Sequence, residues 1–298
     1  MSYFLIKKSG FLSTIQDIGR FGYGEIGVSQ SGVLDEIAYN YCNKILNNAF
    51  NSNVLEITYG NFELQSFGDT IFCITGAKAD IFLNNIKIKS YKSYKIKKGD
   101  ILKIGFVKKG VRLYLGVKGG FLDKKVLNSY SVSIKEDIKK AIKEGDKLYF
   151  NNSYLNISSY LKDSYIPKYH SHLELRVVLG YESELFKRSE IKKFFSSKYK
   201  IKAQNRMGYS LSGAKIEANF EIISNPISFG AIQITKSGDP IILLKERQSI
   251  GGYPKIGSLF TIDCFKLAQL RENQTISFKP ISLNIATKKL REFYSFFR

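Results

Sequence analysis

Histidine, cysteine and proline are scarce in this chain of 298 residues, and each shortage removes a class of function. The 2 histidines, His170 and His172, stand two apart in a polar stretch. No cysteine or carboxylate cluster adjoins them, so they read as surface residues and not as metal ligands. With no other histidine, a Ser-His-Asp or Cys-His device is nearly excluded for the chain acting alone. Acid–base work then falls to carboxylates, lysines, tyrosines or a partner protein. The 3 cysteines, Cys42, Cys73 and Cys264, are too few and too scattered for a disulfide framework or a zinc site. Apolar runs of ~18–20 residues, the length that spans a bilayer, are missing. Met1–Lys8 has too short an apolar stretch, followed and not preceded by charge, for a signal peptide. No G-x-x-x-x-G-K-[ST] occurs, so any ATP chemistry here does not use a P-loop. With only 5 prolines, and with 44% hydrophobic residues, the composition excludes a disordered chain. The expectation is a soluble, reduced, cytoplasmic globular protein with no metal site, long enough for two modest domains or one large one.

Acidic residues are also in short supply: Asp and Glu number 26 against 46 Lys and Arg, a formal charge of +20. Such a surface attracts nucleic acid, acidic partners or anionic substrates. Lysine, however, outnumbers arginine about four to one and is spread along the chain. Base reading and bidentate phosphate contacts favour arginine. The excess therefore reads as a solvated lysine surface, with neither nucleic acid nor membrane as a partner.

Most of the first half consists of short strands. Val54–Thr58, Thr70–Ile74, Asp80–Leu83, Ile101–Ile104 and Val111–Leu115 are β-branched or aromatic and separated by Gly, Asn or Asp turns. Asn84-Asn85 has the character of a hairpin turn. A strand about every ten residues predicts a barrel or sandwich and not βαβ units. Helices are the minority. Leu34, Ile37, Ala38, Tyr41 and Ile45 mark one face of a helix over 34–46. Ser133 with Glu136 has capping-box spacing before Ile138, Ala141 and Ile142, with Gly145 able to close that helix. Further helices are expected at Glu182–Phe195, at Asp263–Arg271 with Asp263 as N-cap, and at Thr287–Phe297. The polar stretch Asn151–Ser171 is the candidate linker. It separates an N-terminal unit, residues 1–160, from a C-terminal unit, residues 170–298. The signature Lys98-Gly99-Asp100-Ile101-Leu102 recurs as Glu144-Gly145-Asp146-Lys147-Leu148, with a fainter echo at Glu272–Ile276. The repetition hints at two related β-rich units, one before and one after the linker.

Gly22-Tyr23-Gly24-Glu25-Ile26-Gly27 matches G-x-G-x-x-G. A dinucleotide site also needs a preceding strand, a helix opening on the last glycine and an acid about 20 positions on. Those are missing, so the segment is expected to be a glycine-rich loop. Two segments differ from solvated surface. In the first, Gln16, Asp17, Arg20, Ser31 and Asp35 are interleaved with glycines and lead into an amphipathic helix, a setting that commonly holds anions. In the second, the apolar run Ile241–Leu244 enters Lys245-Glu246-Arg247-Gln248 and a Gly251-Gly252 turn. Hydrogen-bonding side chains thus collect at a strand end, where sites concentrate.

Taken with further blocks in the same order, these segments carry a family resemblance. The blocks are Gln16-Asp17-x-Gly19-Arg20-x-Gly22-Tyr23; Gly27-Val28-x-x-Ser31-Gly32-x-x-Asp35; Leu55-Glu56-Ile57; Thr75-Gly76-Ala77; Tyr114-Leu115-x-Val117-x-Gly119-Gly120; Arg206-Met207-Gly208-Tyr209-x-Leu211-x-Gly213; Gly230-Ala231-Ile232-Gln233; Arg247-Gln248-x-x-Gly251-Gly252-Tyr253-Pro254-Lys255-Ile256; and Leu267-Ala268-Gln269-Leu270. Together they resemble the biotin-dependent carboxyltransferase-like family. It includes the allophanate hydrolase subunit 2 proteins, KipA and the C subunit of bacterial 5-oxoprolinase. The match runs from about Phe11 to Phe278. Where the family has Ala-Asp before the Arg-Gln pair, this chain has Lys245-Glu246; where it has Thr-Thr after it, this chain has Ser249-Ile250. Thr235–Asp239 replaces a proline-rich turn. Lys245, off the family pattern, is expected to face solvent.

The resemblance implies a mainly β fold with peripheral helices, built as tandem cyclophilin-like β-barrel units. It also implies a subunit and not a self-sufficient enzyme. Such a subunit would belong to an ATP-dependent 5-oxoprolinase that opens 5-oxoproline to L-glutamate. Its partners would be a B subunit, KipI-like, and an A subunit. ATP with Mg2+ would be used, and no biotin would be covalently bound, since no Met-Lys-Met occurs. Carried onto this sequence, Arg20, Arg206 and Arg247 are anion or phosphate ligands, and Gln16, Gln233 and Gln248 are amide-recognising donors. Glu246 or Asp35 is the acid–base or metal-binding carboxylate. Ser31, Gly251, Gly252 and Tyr253 complete the substrate and ATP contacts. The alternatives are carboxyl transfer from carboxybiotin on a separate carrier, of urea or allophanate type, and non-enzymatic antagonism of a KipI-like kinase inhibitor.

Overall fold

Two β-rich units divide the chain in the structure, a computed structural model that describes residues 1–156 and 158–298. Unit 1 comprises Met1–Arg20 and Ser31–Tyr169 with Phe297; unit 2 comprises Phe21–Gln30 and His170–Phe296 with Arg298. The structure is mainly β with few helices, and among the described residues no helix is long and apolar enough to cross a membrane.

Unit 1 runs β1 (Ser2–Ser9), β2 (Leu12–Gln16), α1 (Glu36–Ile45), β3 (Val54–Thr58), β4 (Gly60–Ser66), β5 (Thr70–Lys78) and β6 (Ile81–Leu83). It continues through β7 (Ile86–Ile88), β8 (Ser93–Ile96), β9 (Ile101–Phe106), β10 (Lys109–Val117) and β11 (Lys147–Phe150). The strands form a sheet of order β11-β1-β4-β9-β6-β7 and another of order β2-β3-β10-β5-β8. Alternation along β4 buries Phe62 and Leu64 and leaves their neighbours half-buried, as expected of a strand with one wet face. Phe4, Ile6, Leu102 and Ile104 of the first sheet share one core with Leu55, Ile57, Leu113 and Leu115 of the second. Each such side chain stabilises the fold by about 1.5–3 kcal/mol relative to exposure.

The second sheet is buried on both faces because α1 covers its far side. Ala38, Cys42 and Ile45 pack there with Val54, Ile71, Cys73 and Tyr114. Gly116 in β10 permits the close approach: a Cβ there would lie 2.7 Å from Cys42 Sγ and 3.0 Å from Leu46 Cδ1. Gly116→Ala should therefore overpack the layer and cost about 1–3 kcal/mol. A thermal melt checks this, at roughly 2–4 °C per kcal/mol for a chain of this size. An unchanged melting temperature would show that α1 yields freely.

Unit 2 runs β12 (His172–Leu179), α2 (Arg188–Ser196), β13 (Lys198–Gln204), β14 (Gly208–Ser212), β15 (Asn225–Pro226) and β16 (Ala231–Ile234). It continues through β17 (Pro240–Leu243), β18 (Ile250–Gly251), β19 (Lys255–Leu259), α3 (Thr261–Leu267), β20 (Thr275–Pro280) and α4 (Leu283–Phe297). Its strands close into a barrel of order β12-β19-β16-β17-β14-β13-β20, the β12–β20 pair being parallel. The two short strands β15 and β18 pair outside the barrel, Asn225 opposite Gly251 and Pro226 opposite Ile250. That ribbon ties the segment after the second apolar run to the segment before β16.

Several expected elements stand where the pattern put them. Asn84 and Asn85 both adopt positive φ, 49° and 65°, and turn β6 into β7 with Leu83 opposite Ile86. The recurrent Gly-Asp turns have the same chemistry: Asp100 Oδ2 accepts the Lys97 N–H at 2.7 Å and Asp146 Oδ2 accepts the Lys143 N–H at 2.8 Å. Both belong to unit 1, so this repeat does not mark one unit on each side of the linker.

Three helix expectations are corrected. Residues 133–145 are not helical: Asp137 and Lys139 take φ of 52° and 63°, and Ser133 and Ile138 exchange backbone bonds across a bridge. The N–H groups of Val132 and Ile142 go to the carbonyls of Ile15 and Ser13 in β2. Those acceptors on the edge strand β2 override the local capping-box signal. The expected helix 182–195 splits into a 3₁₀ turn, Tyr181–Leu185, and α2, because Phe186 is extended between them. Asp263 does not cap a helix. Phe260 stands at the N-cap of α3, and the Asp263 carboxylate instead receives Arg176 Nε at 2.8 Å and Nη2 at 2.7 Å.

Candidate functional site

In unit 1 the glycine-interleaved segment forms a buried polar loop centred on Asp17. Its Oδ1 accepts the Ser129 and Ser131 hydroxyls, each at 2.6 Å, and the Gly19 N–H at 2.8 Å; Oδ2 accepts the Tyr130 N–H at 2.8 Å. Gln16 is fully buried. Its amide donates to Thr14 Oγ1 and the Val132 carbonyl, both at 3.0 Å, and accepts the Gly32 N–H at 3.1 Å. Arg20 Nη2 donates to the Ser131 carbonyl, and Ser31 Oγ donates to the Val132 carbonyl at 2.8 Å. Gly32 has φ of 99°, and a Cβ there would meet the Ile18 carbonyl at 2.7 Å. The tight turn therefore requires glycine.

Asp35 caps α1, its Oδ1 accepting the N–H groups of Ile37 and Ala38 at 3.0 and 3.1 Å. The Asp35 N–H donates to Tyr114 Oη at 2.8 Å, and that hydroxyl donates to Glu56 Oε2 at 2.9 Å. Arg112 is buried beside Glu56, Nε to Oε1 3.7 Å. Burial, reinforced by Glu56 and Asp35, pushes the Tyr114 hydroxyl well above its usual range, so it stays a neutral donor. These residues hold loop and helix together. Gln16, Arg20, Ser31 and Asp35 lie in this one unit, and each has a partner inside the loop or the helix start.

In unit 2 the strand-end segment is a β-turn fixed on several sides. The Leu244 N–H donates to the Met207 carbonyl at 2.8 Å and the Glu246 N–H to the Arg206 carbonyl at 3.0 Å, extending the β14–β17 pairing. Arg206 Nε donates to Glu246 Oε1 at 2.6 Å, with both side chains buried. Arg247 is half-buried; its Nε donates to the Ile227 carbonyl at 2.9 Å and Nη1 to the Leu244 carbonyl at 3.1 Å. Burial pushes its pKa down from the usual arginine value. Gln248 and Gly252 are exposed, Gly251 is half-buried, and Tyr253 is 39% exposed. Gln233 is buried beneath them, its Nε2 donating to the Tyr253 carbonyl at 3.4 Å. A side chain at position 251 would collide with Ile227 Cδ1 at 2.7 Å. Arg206, Glu246 and Arg247 thus stand at the end of β17, beside Gly230 at the start of β16. Gly251, Gly252 and Tyr253 instead precede the start of β19, which pairs with Gln233 further along β16; Gln233 and Gln248 both lie close to Gly251.

Lys245 overturns its expectation. It is 1% exposed, with Nζ 5.2 Å from the centre of the Phe229 ring. The backbone bonds that fix the turn aim it inward, and the ring face supplies an electron-rich surface for the ammonium. Sequence reasoning also missed Glu182. This buried carboxylate accepts the Lys255 N–H at 2.6 Å and Asn225 Nδ2 at 3.1 Å, and pairs with Lys255 Nζ at 2.9 Å. Burial alone would raise its pKa, but Lys255, Asn225 and Tyr181 outweigh it and hold the group below the ordinary range. Glu182 thereby braces both sides of the Gly251–Pro254 turn. No spacing rule connects it to residues that distant in sequence.

The remaining motifs read as surface and packing. His172 Nδ1 lies 2.9 Å from Thr275 Oγ1 on an exposed strand face. Gly22–Gly27 forms a loop with a single 3₁₀ turn and opens no helix. Among the described residues no group of three or more His, Cys, Asp and Glu is placed to hold a metal ion.

Residues 26–280 match the family model described as carboxyltransferase domain, subdomain A and B. The chain belongs to the carboxyltransferase domain family. It is 34% identical over 287 residues to the C subunit of 5-oxoprolinase from Haemophilus influenzae, covering 94% of this chain and 92% of that protein. It is 31% identical over 303 residues to the C subunit of 5-oxoprolinase from Escherichia coli, covering 98% of this chain and 96% of that protein. Urea amidolyase of Saccharomyces cerevisiae is 29% identical over 95% of this chain, which spans 17% of that protein. In structure, the urea amidolyase of K. lactis superimposes with a TM-score of 0.88 at 26% identity, over 99% of this chain and 20% of that one.

Proposed function

We propose that the chain is the C-type subunit of an ATP-dependent 5-oxoprolinase, acting with a KipI-like B subunit and an A subunit to open 5-oxoproline to L-glutamate. The observation that carries this reading is the end-to-end similarity to two proteins named as that subunit. An unstrained lactam is a poor electrophile, and ATP supplies the phosphoryl group that activates its oxygen before water attacks. What this family member would contribute is charge and hydrogen bonding. The Arg247 guanidinium, the exposed Gln248 amide and the side-chain-free Gly251-Gly252 backbone suit phosphate and carboxylate oxygens. Glu246, held by Arg206, fixes the turn from behind. In this reading Mg2+ arrives with the nucleotide. We also propose a cytoplasmic location, on three free, buried thiols.

The test is reconstitution. The isolated chain should release almost no phosphate from ATP in response to 5-oxoproline, and activity should appear on adding the B and A subunits. Robust turnover by the purified chain alone would sink the subunit reading. A second reading, carboxyl transfer from a biotin carrier on another protein, is favoured by the structural match to urea amidolyase. Carboxylation of urea by the chain with a biotinylated carrier and no 5-oxoprolinase activity would select it.

A further inference from the structure

One end of unit 1 keeps aromatic rings in solvent on a rigid frame. Three chain reversals meet there: Gly10-Phe11 between β1 and β2, Tyr59-Gly60 between β3 and β4, and Phe106–Lys108 between β9 and β10. The Tyr59 N–H donates to the Val111 carbonyl at 2.8 Å and the Val107 N–H to the Tyr59 carbonyl at 3.0 Å. The backbones touch: a Cβ at Gly10 would collide with the Gly60 carbonyl, and one at Gly60 with the Gly105 carbonyl. On this frame Phe11 is 77% exposed, and Phe106, opposite Gly60 in the β4–β9 register, is 71% exposed. The Phe11 ring lies 5.9 Å from that of Tyr59, edge to face at 78°. Tyr59 itself holds φ of 61°, a left-handed conformation for which turns ordinarily use Asn, Asp or Gly. Two exposed phenylalanines beside a tyrosine held against backbone preference exceed what a solvated turn needs. The same end carries charge of one sign. Lys78 of β5 and Lys109 of β10 stand directly opposite each other, both exposed, and among the described residues neither pairs with a carboxylate. Lys108, by contrast, is paired with Asp80. Like charges directly opposite destabilise a strand pair.

We propose that this end of unit 1 docks an acidic face of a companion subunit, with Phe11 and Phe106 as anchors and Lys78 and Lys109 as a basic rim. The proposal rests on the reading of the chain as one subunit of a complex. Aromatic anchors dominate binding at protein interfaces, and rim charges steer encounter. A second copy of the chain is a poor occupant, since it brings the same lysines and the same formal charge of +20. The lysines are fixed by strand pairing and the rings by touching turns. Fixed groups suit a partner whose own groups are fixed, which favours a folded protein over a lipid surface or a flexible nucleic-acid strand. Phe11 precedes β2 and the Asp17 loop follows it, so the anchors stand a strand's length from that loop.

The experiment titrates the full chain into the B and A subunits together and follows assembly by light scattering. It is repeated with the double variant Phe11→Ser, Phe106→Ser and with Lys109→Glu. The double variant changes exposed side chains only, so its melting temperature should stay near the parent's. Its affinity for the other subunits should fall at least roughly a hundredfold, about tenfold for each anchor. Lys109→Glu sets a carboxylate opposite Lys78, so the fold should be at least as stable as the parent's. Assembly should nevertheless slow about tenfold at low salt, and the difference should vanish at high salt. Turnover per assembled complex should be unchanged in both variants. Assembly at the parent's affinity by both variants would overturn the proposal, as would a loss that merely tracks a fall in melting temperature. So would binding of the parent chain to phosphatidylglycerol vesicles or to an oligothymidylate, lost in the double variant while assembly persists. If the parent chain itself fails to assemble with the B and A subunits, the subunit reading falls and this surface with it. If the parent assembles and the variants do so equally well, only the surface falls.

Discussion

Arg247→Ala, assayed in the reconstituted complex, is expected to lose at least roughly a hundredfold in oxoproline-dependent turnover. Removing one preorganised donor from developing negative charge typically costs about 2.7–4 kcal/mol in the transition state. The structural cost of the same change is smaller. The Ile227 and Leu244 carbonyls each lose one guanidinium bond, but the Arg247 N–H still reaches the Leu244 carbonyl at 3.3 Å and the Ile227 N–H still reaches the Ser249 carbonyl at 2.9 Å. The turn therefore keeps its backbone frame. Melting temperature and affinity for the B subunit should stay near the parent's. Arg247→Lys should fall between parent and alanine, because an ammonium restores the charge without the planar fork. If Arg247→Ala instead melts early while each complex that forms remains active, Arg247 is a brace and the site lies elsewhere.

The separation of sequence-legible from illegible features follows the range over which each is determined. β3 was readable to the residue, since Val54–Thr58 is β-branched and bounded by turn residues. The helix over 34–46 was legible from its apolar stripe of period 3.6, but its start was not: α1 begins at Glu36, and Asp35, read as a site carboxylate, serves as its N-cap. The helix expected around Ser133 failed because its competitor, the free edge of β2, lies more than a hundred residues away and leaves no trace in the local pattern. Asp263 failed likewise: its local signal was a cap, but Arg176, from β12, offers a bidentate partner. The strand-end cluster was legible because Lys245, Glu246, Arg247 and Gln248 are consecutive. Which of the four face inward was not, since that depends on how Met207 and Arg206 pin the turn. Glu182 stands 73 residues from Lys255 and was invisible for the same reason.

Asp17→Ala should be the most destabilising change in unit 1. Four donors converge on this carboxylate, two hydroxyls at 2.6 Å and two backbone N–H groups at 2.8 Å, and the site is closed to water. A hydrogen bond to a charged group contributes about 1.5–3 kcal/mol net, and a buried donor left without an acceptor costs about 1–3 kcal/mol. The bonds form one network, so the losses do not add. A cost of about 3–5 kcal/mol is the expectation, the range for breaking a buried charged cluster. At roughly 2–4 °C per kcal/mol, that lowers the unit 1 transition by about 10 °C. Asp17→Asn discriminates the cause. Its carbonyl oxygen can replace Oδ1 toward Ser129, Ser131 and Gly19, but its amide nitrogen then faces the Tyr130 N–H, donor against donor. Roughly half the loss should remain. Because Ser131 also accepts Arg20 through its carbonyl, freeing residues 129–131 should loosen the Arg20 loop as well. Hydrogen exchange at Gly19, Tyr130 and Ser131 reads this directly: their amides should lose protection ahead of β3 and β10. A variant that melts within a degree of the parent, with those amides still protected, would show that Gln16 and the Gly32 turn hold the loop without Asp17.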